Sequence, residues 1–317
     1  MASEFDLIQQ YFTKPSHHTN LSVGDDAALI SVSQGMELAI ATDMLVAGTH
    51  FFHDAAPYDI GWKALAVNVS DMAAMGAQPK WATLALALPE VNEAWLSEFS
   101  RGFFTCAEQF NVDLIGGDTT RGPLNISVTI LGEVPKNQAL KRDGAQAEDD
   151  IWVSGNIGSA AAGLAHLQGK IKLENDALEA SIHALHRPMP RISLGLALRG
   201  SANSAIDISD GLAADLGHIL KASNVGADIF IKHIPHSPAL SANNDARFQA
   251  CILGGGDDYE LCFTAPRAAR EKIETLSGTL NLPLARIGNT CTALGLRVYD
   301  AENKLVQLQA KGYDHFA

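Results

Sequence analysis

The run Ile115-Gly116-Gly117-Asp118-Thr119-Thr120-Arg121-Gly122 sets paired glycines and a carboxylate directly after a short apolar stretch, Val112-Asp113-Leu114. The apolar residues read as a strand that runs into the glycines, with Asp118 at its end. Lacking Cβ atoms, Gly116 and Gly117 let a bulky anion such as a polyphosphate approach the backbone closely. Asp118 offers a hard oxygen donor, and Thr119, Thr120 and Arg121 add donors for anionic oxygens. Gly-Gly-Asp is also ordinary turn chemistry, but the theme recurs. Gly24-Asp25-Asp26, Ala41-Thr42-Asp43, Asp207-Ile208-Ser209-Asp210-Gly211 and Gly254-Gly255-Gly256-Asp257-Asp258 all set aspartates beside small residues.

Composition narrows the chemistry. The 317 residues suffice for about two domains, and 47% hydrophobic with 19% charged residues is a globular balance. The formal net charge of −13 has no Lys/Arg-rich tract to offset it, which disfavours nucleic acid and anionic membrane surfaces as partners. An acidic chain that handles anions must bring cations with it. No apolar run approaches a membrane span and Met1 to Phe12 lacks a basic, then apolar leader, so a cytoplasmic location is expected. Cys106, Cys251, Cys262 and Cys291 show no paired spacing and read as buried free thiols.

Periodicity predicts a helix over Glu4–Phe12, with Phe5, Ile8 and Phe12 on one face. Glu37–Asp43 reads as a strand ending at Asp43. Asp59–Met75 reads as a helix with an apolar stripe, on which Asn68 and Asp71 share a separate face. A strand over Trp81–Leu88, a helix over Glu93–Phe110 and a strand over Leu124–Val134 complete the first half. Polar Lys136–Asp150 marks the boundary between domains 1–137 and 138–317. The second half alternates likewise: strand Ile151–Ser154, helices over Ser159–Leu167, Ala177–His186 and Ile192–Arg199, strand Ala205–Asp207, then helix Gly211–Ala222, which Ser209 or Asp210 could cap. Strands near Ile229–Ile231, Leu261–Thr264, Ala285–Ile287, Leu296–Tyr299 and Leu305–Leu308 and a helix over Ala268–Leu280 finish it. The pattern is α/β or α+β.

The recurrent aspartates repel one another if they converge, and would then require several hard divalent cations. Mg²⁺ with nucleotide phosphates completing octahedral shells suits them best. A Walker-type loop, a Gly-x-Gly-x-x-Gly loop and a His-Arg-Asp catalytic loop are all absent.

In chain order, Gly24-Asp25-Asp26-Ala27-Ala28, Ala41-Thr42-Asp43, His50, Asn68-Val69-Ser70-Asp71-Met72-Ala73-Ala74-Met75-Gly76, Ile115-Gly116-Gly117-Asp118-Thr119-Thr120, Asp207-Ile208-Ser209-Asp210-Gly211 and Asp257-Asp258-Tyr259-Glu260-Leu261 form a set covering nearly the whole chain. The set resembles the bacterial thiamine-monophosphate kinases, members of the aminoimidazole-ribotide-synthetase-like superfamily. The resemblance implies a two-domain fold with mixed sheets and flanking helices. It implies an N-terminal metal- and ATP-binding domain that also forms a homodimer, and ATP and thiamine monophosphate as substrates with several Mg²⁺ ions. The implied metal ligands are Asp26, Thr42, Asp43, Asp71, Asp118, Asp207 and Asp210, of which Asp118, Asp43 and Asp71 carry catalysis. ATP would contact Gly117, Asp118, Arg142 and Ser209, and thiamine phosphate His50, Asp257 and Tyr313.

The chain departs from the family at Ala41, where Ser is frequent, at Asp257, where Glu is frequent, and at Glu148-Asp149-Asp150, where Pro-Gly-Asp is usual. Two rival readings stand beside the kinase: a sibling ATP enzyme such as the ribotide synthetase, and a nonenzymatic nucleotide or metal sensor. An ATP-turnover assay with candidate acceptors separates them.

Overall fold

Strand alternation is clearest in the first half of the chain. In a computed structural model, which describes residues 3–237, 240 and 246–306, the chain forms two compact units. One is Met1–Met72 with Ala77–Asn137, the other Ala73–Gly76 with Gln138–Ala317.

The first unit opens with a short helix, α1 (Glu4–Leu7), followed by a single π-helical turn, Ile8–Phe12. A capping box fixes the start: Asp6 N–H donates to Ser3 Oγ and Ser3 N–H to Asp6 Oδ2. A small antiparallel ribbon, β1 (Thr19–Leu21) with β2 (Leu29–Ile30), brackets the Gly24–Ala28 loop. The main sheet contains β3 (Met36–Val46), β4 (Gln78–Leu88), β5 (Asp113–Arg121) and β6 (Asn125–Pro135) in the order β3-β6-β4-β5. β4 and β5 pair in parallel, joined through helix α3 (Glu93–Phe110), while the other pairs are antiparallel.

Alternation gives this sheet one covered face. Leu84, Leu86 and Leu88 of β4 and Ile126, Val128 and Ile130 of β6 are buried, while Thr83, Ala85, Ser127 and Thr129 on the other face are not. Helix α2 (Pro57–Ala74) was expected to show a one-sided stripe. Instead it is buried nearly all round, including Lys63, Asn68 and Ser70. The reason is close packing on α3: a Cβ on Gly61 would meet Phe99 O at 2.0 Å, and one on Gly102 would meet Tyr58 O at 1.9 Å. Asn92, whose side chain accepts Trp95 N–H, starts α3, and Asn111 in the left-handed region (φ 55°) stops it.

The second unit holds β7 (Asp150–Ser154), β8 (Ser204–Asp207), β9 (Gly226–Phe230), β10 (Leu261–Ala265), β11 (Leu284–Cys291) and β12 (Gly295–Tyr299). Their order is β12-β9-β11-β7-β10-β8, antiparallel except for the parallel pair β12/β9. The helices are α4 (Ser159–Leu167), α5 (Asn175–His186), α6 (Ile192–Leu198), α7 (Leu212–Ser223), α8 (Ala246–Gly254) and α9 (Arg270–Leu280). Residues of α4, α7, α8 and the strands, among them Ile157, Ile206, Leu216, Ile229 and Ile252, make one core cluster. The fold is thus α/β with mixed sheets and flanking helices.

The polar stretch at 136–150 is more firmly held than its composition implies. Asp149 accepts from Gln146 N–H and Asn203 Nδ2, and Asp150 is buried against Arg270 and Arg286. Burial pushes the Asp150 carboxyl up, but the two guanidiniums outweigh it and hold the group below the usual range. Cys106, Cys251 and Cys262 are buried free thiols, whereas Cys291 is only half-buried. Among the described residues no helix is long and apolar enough to cross a membrane.

Candidate active site

Gly116, Gly117 and Asp118 were expected at a strand end; they lie inside β5, which continues to Arg121. The glycines divide the work. Gly117 (φ +153°) is required by strand pairing, because a Cβ there would sit 1.8 Å from Leu84 O, next to the irregularity in the β4/β5 register. Gly116 faces open space, with nothing within 4 Å of a built Cβ. A cavity of about 740 Å³ opens at this point, walled by Gly116–Thr119, by the Asp25–Asp26 loop and by the helical segment carrying Phe5 and Ile8. Asp118, Asp25 and Asp26 are exposed. Asp25 has a local role, since its carboxylate accepts Asp26 N–H at 2.9 Å.

Asp43, expected at the end of its strand, is also internal, because β3 runs on to Val46. Its backbone N–H donates to Asn68 Oδ1 at 3.1 Å, and Asn68 Nδ2 donates to Ala64 O. A buried amide of α2 thereby fixes the edge strand at Asp43. Asp71, one turn further along α2, is half-buried. Thr42, on the uncovered face, shares a 2.8 Å hydroxyl hydrogen bond with Thr129. His50 sits in the turn after β3, where Nδ1 accepts Val46 N–H at 3.0 Å. The neutral ring therefore carries its proton on Nε2.

In the second unit, the segments after β8 and before β10 lie against each other. Asp257 N–H donates to Ser209 O, Tyr259 N–H to Ile208 O and Ile208 N–H to Glu260 O, which brings Asp207, Ser209, Asp210 and Asp257 to one locality. The backbone there is unusual, with Asp257 (φ 69°) and Tyr259 (φ 50°) both left-handed. Neither Ser209 nor Asp210 caps α7. Asp215, within the first turn of that helix, reaches back, and its Oδ2 accepts the N–H groups of Ser209, Asp210 and Gly211, each at 3.1 Å. Burial, and then the charge of Asp207, push its carboxyl up to about 7. Arg142 is exposed, and its carbonyl accepts from Ser223 Oγ. Tyr313 lies outside the described residues.

Sequence reasoning passed over Asp215, which builds one of these loops. Asp258 stood among the recurrent aspartates without an assigned role: its carboxylate accepts Gly158 and Ala160 N–H at the start of α4. Burial raises this carboxyl to about 8, aided by Glu260 and Asp257 and opposed by the two N–H groups. Glu260, buried, forms a two-armed pair with Arg191 and also accepts from Ser154 Oγ. No local pattern marks these partners, because each is far along the chain or lies inside a helix.

The donor set can be weighed for metal. Among the described residues no group of three or more His, Cys, Asp or Glu side chains could hold an ion by itself. The cavity wall nevertheless carries Glu4, Asp25, Asp26 and Asp118 and, among the described residues, neither Lys nor Arg. A polyanion could enter such a wall only with cations, and a hard divalent ion that shares its shell with phosphate oxygens and water needs just one or two carboxylates. The donors present fit Mg²⁺ held jointly with a nucleotide.

Residues 24–134 match the family model for AIR synthase related protein, N-terminal domain, which sets the class to which this sheet and its loops belong. Along its full length the chain is 48% identical over 321 residues to thiamine-monophosphate kinase of Escherichia coli (strain K12), covering 99% of this chain and 98% of that one. A crystal structure of thiamine-monophosphate kinase from Stenotrophomonas maltophilia K279a is 48% identical, with a TM-score of 0.83 over 89% of this chain and 91% of that one. A structure of AaThiL complexed with AMPPCP and TMP is 32% identical, with a TM-score of 0.79 over 93% and 92%. The chain belongs to the thiamine-monophosphate kinase family and is a kinase.

Proposed function

We propose that this chain transfers the γ-phosphoryl group of ATP to the phosphate of thiamine monophosphate, giving thiamine diphosphate and ADP. The observation that carries the reading is the end-to-end identity with thiamine-monophosphate kinases, joined to the likeness to AaThiL in complex with AMPPCP and TMP.

Transfer is direct and in line. An oxygen of the acceptor phosphate bonds to the γ-phosphorus as the bond to the β–γ bridging oxygen breaks. A phosphate monoester has a second pKa of about 6, so the acceptor oxygen is largely deprotonated near neutrality and needs no general base. Gly117, Asp118, Arg142 and Ser209 bind the nucleotide, with Arg142 spreading charge from the transferring group. Mg²⁺ ions held by Asp26, Thr42, Asp43, Asp71, Asp118, Asp207 and Asp210 would neutralise the phosphates when bound. His50, with its proton on Nε2, suits donation to a phosphate oxygen of thiamine monophosphate. Asp257 complements the cationic thiazolium, and Tyr313 offers it an aromatic face.

The first domain, 1–137, carries metal and ATP and also pairs with a second copy. Support for pairing comes from the uncovered sheet face, where Ile40 is 61% and Met44 54% exposed. The second domain, 138–317, is the C-terminal α/β domain, and the enzyme works in the cytoplasm.

The test is incubation with ATP, Mg²⁺ and thiamine monophosphate, with thiamine diphosphate measured by chromatography. Stoichiometric ADP and thiamine diphosphate are expected. ATP turnover that requires a different acceptor would overturn the reading.

A further inference from the structure

The cavity beside Gly116 is lined by two kinds of wall. Gly116–Thr119 and the Asp25–Asp26 loop are glycine-rich and acidic, as described above. The N-terminal helical segment adds Glu4 together with Phe5, Ile8 and Gln9. This segment is anchored rather than trailing: Leu7, Tyr11 and Phe12 are buried, Phe12 meets Phe99 of α3 edge-on at 6.3 Å, and the capping box fixes its first turn. Against that anchorage Phe5 stands 79% exposed, an unusual setting for an aromatic ring on a fixed helix. Gln9, one turn on, is exposed, and its amide makes no hydrogen bond with the described residues.

We propose that Phe5 and Gln9 form the base-recognition end of the nucleotide site, with Phe5 packing on the face of adenine and Gln9 reading its edge. The inference rests on the ATP-dependent reading above and names the part of that site which selects the base. A glutamine amide presents an acceptor and a donor side by side, the complement of the adenine N6 donor and N7 acceptor; the guanine O6 and N7 offer acceptors only. An aromatic face holds any base by stacking, so Phe5 supplies affinity and Gln9 supplies discrimination. The cavity volume of about 740 Å³ lies within the range of sites that enclose a small organic ligand.

Calorimetric titration of the full chain with Mg²⁺ and ATP, GTP or inorganic tripolyphosphate tests this without the acceptor. Phe5→Ala is expected to weaken ATP about tenfold, with tripolyphosphate affinity and melting temperature unchanged, and Phe5→Tyr to restore ATP. Gln9→Leu is expected to cut the preference for ATP over GTP about tenfold. The proposal is overturned if both variants keep wild-type ATP affinity and base preference, or if tripolyphosphate binding falls as much as ATP binding. A changed oligomeric state in Phe5→Ala with unaltered ATP affinity also overturns it, and assigns the ring to a subunit contact. A wild-type chain that prefers ATP in these titrations yet forms no thiamine diphosphate would sink the functional reading and leave this pocket standing. Thiamine diphosphate formation with unaffected variants would do the reverse.

Discussion

Asn68 accepts the backbone N–H of Asp43 at 3.1 Å, so a buried amide on a helix sets the position of a strand carboxylate. Removing it leaves an edge-strand N–H without its partner, a loss of about 1–3 kcal/mol. Asn68→Ala should lower the melting temperature by several degrees. It should also raise the Mg²⁺ concentration needed for half-maximal turnover, with the KM for thiamine monophosphate unchanged. A variant that melts and responds to Mg²⁺ like the wild type would remove Asn68 from this role.

The adjacent glycines should respond in opposite ways. Gly117→Ala drives a Cβ into Leu84 O at a backbone angle that side chains rarely adopt, and should destabilise the protein by about 3 kcal/mol. Gly116→Ala meets open space and should melt within about 1 kcal/mol of the wild type, while the methyl group in the cavity lowers ATP affinity. Thermal melts of the two variants decide the point; equal destabilisation would contradict the assigned roles.

Asp118→Asn preserves shape and removes a charge from an exposed position. Turnover at saturating Mg²⁺ should fall by at least about 100-fold if the carboxylate holds metal against the transferring phosphate. The circular dichroism spectrum and melting temperature should stay put. Near wild-type turnover would end the assignment.

Asp258 gives stability a pH dependence of definite sign. Its folded pKa, about 8, lies above the unfolded value of about 3.9, so between these limits the folded state binds more protons than the unfolded chain. Its contribution is therefore full below the unfolded pKa and is lost as pH rises through the folded value. Asp258→Asn should flatten this part of the melting profile between about pH 4 and pH 8. A slope identical to the wild type would show that the carboxyl does not hold its proton.

Glu260 is buried and faces Arg191 with both carboxylate oxygens. Arg191→Ala strands that charge and should cost about 3–5 kcal/mol, read by urea titration. Replacing both by Met and Gln should recover part of the loss. A single variant as stable as the wild type would contradict the pairing.

Several elements were legible in the sequence because their signals are local. Helix α3 has the limits expected from its period, and its capping asparagines explain why. The α/β pattern followed from alternating periods of two and near four. Strand ends were less legible: β3 and β5 outrun the expected limits at Asp43 and Ile115 because pairing with β6 and β4, not residue preference, carries them onward. The stripe expected on α2 failed for a similar reason. A helix packed on both a sheet and a second helix has no solvent side to keep polar.

The sequence by itself determined the class of chemistry. Its ordered aspartate motifs mark the thiamine-monophosphate kinase family. Aspartates beside small residues, an acidic balance and the missing lysine loop carry the expectation of cation-assisted handling of an anion, since these properties belong to residue types and their order. Only the tertiary structure decided what surrounds each acid. Asp118 stays exposed on a cavity wall, whereas Asp215 spends its oxygen on three backbone N–H groups and Asp258 tends the start of α4. The same side chain serves as candidate ligand or as scaffold according to which donors surround it. Those donors come from distant parts of the chain, which no local reading of the sequence brings together.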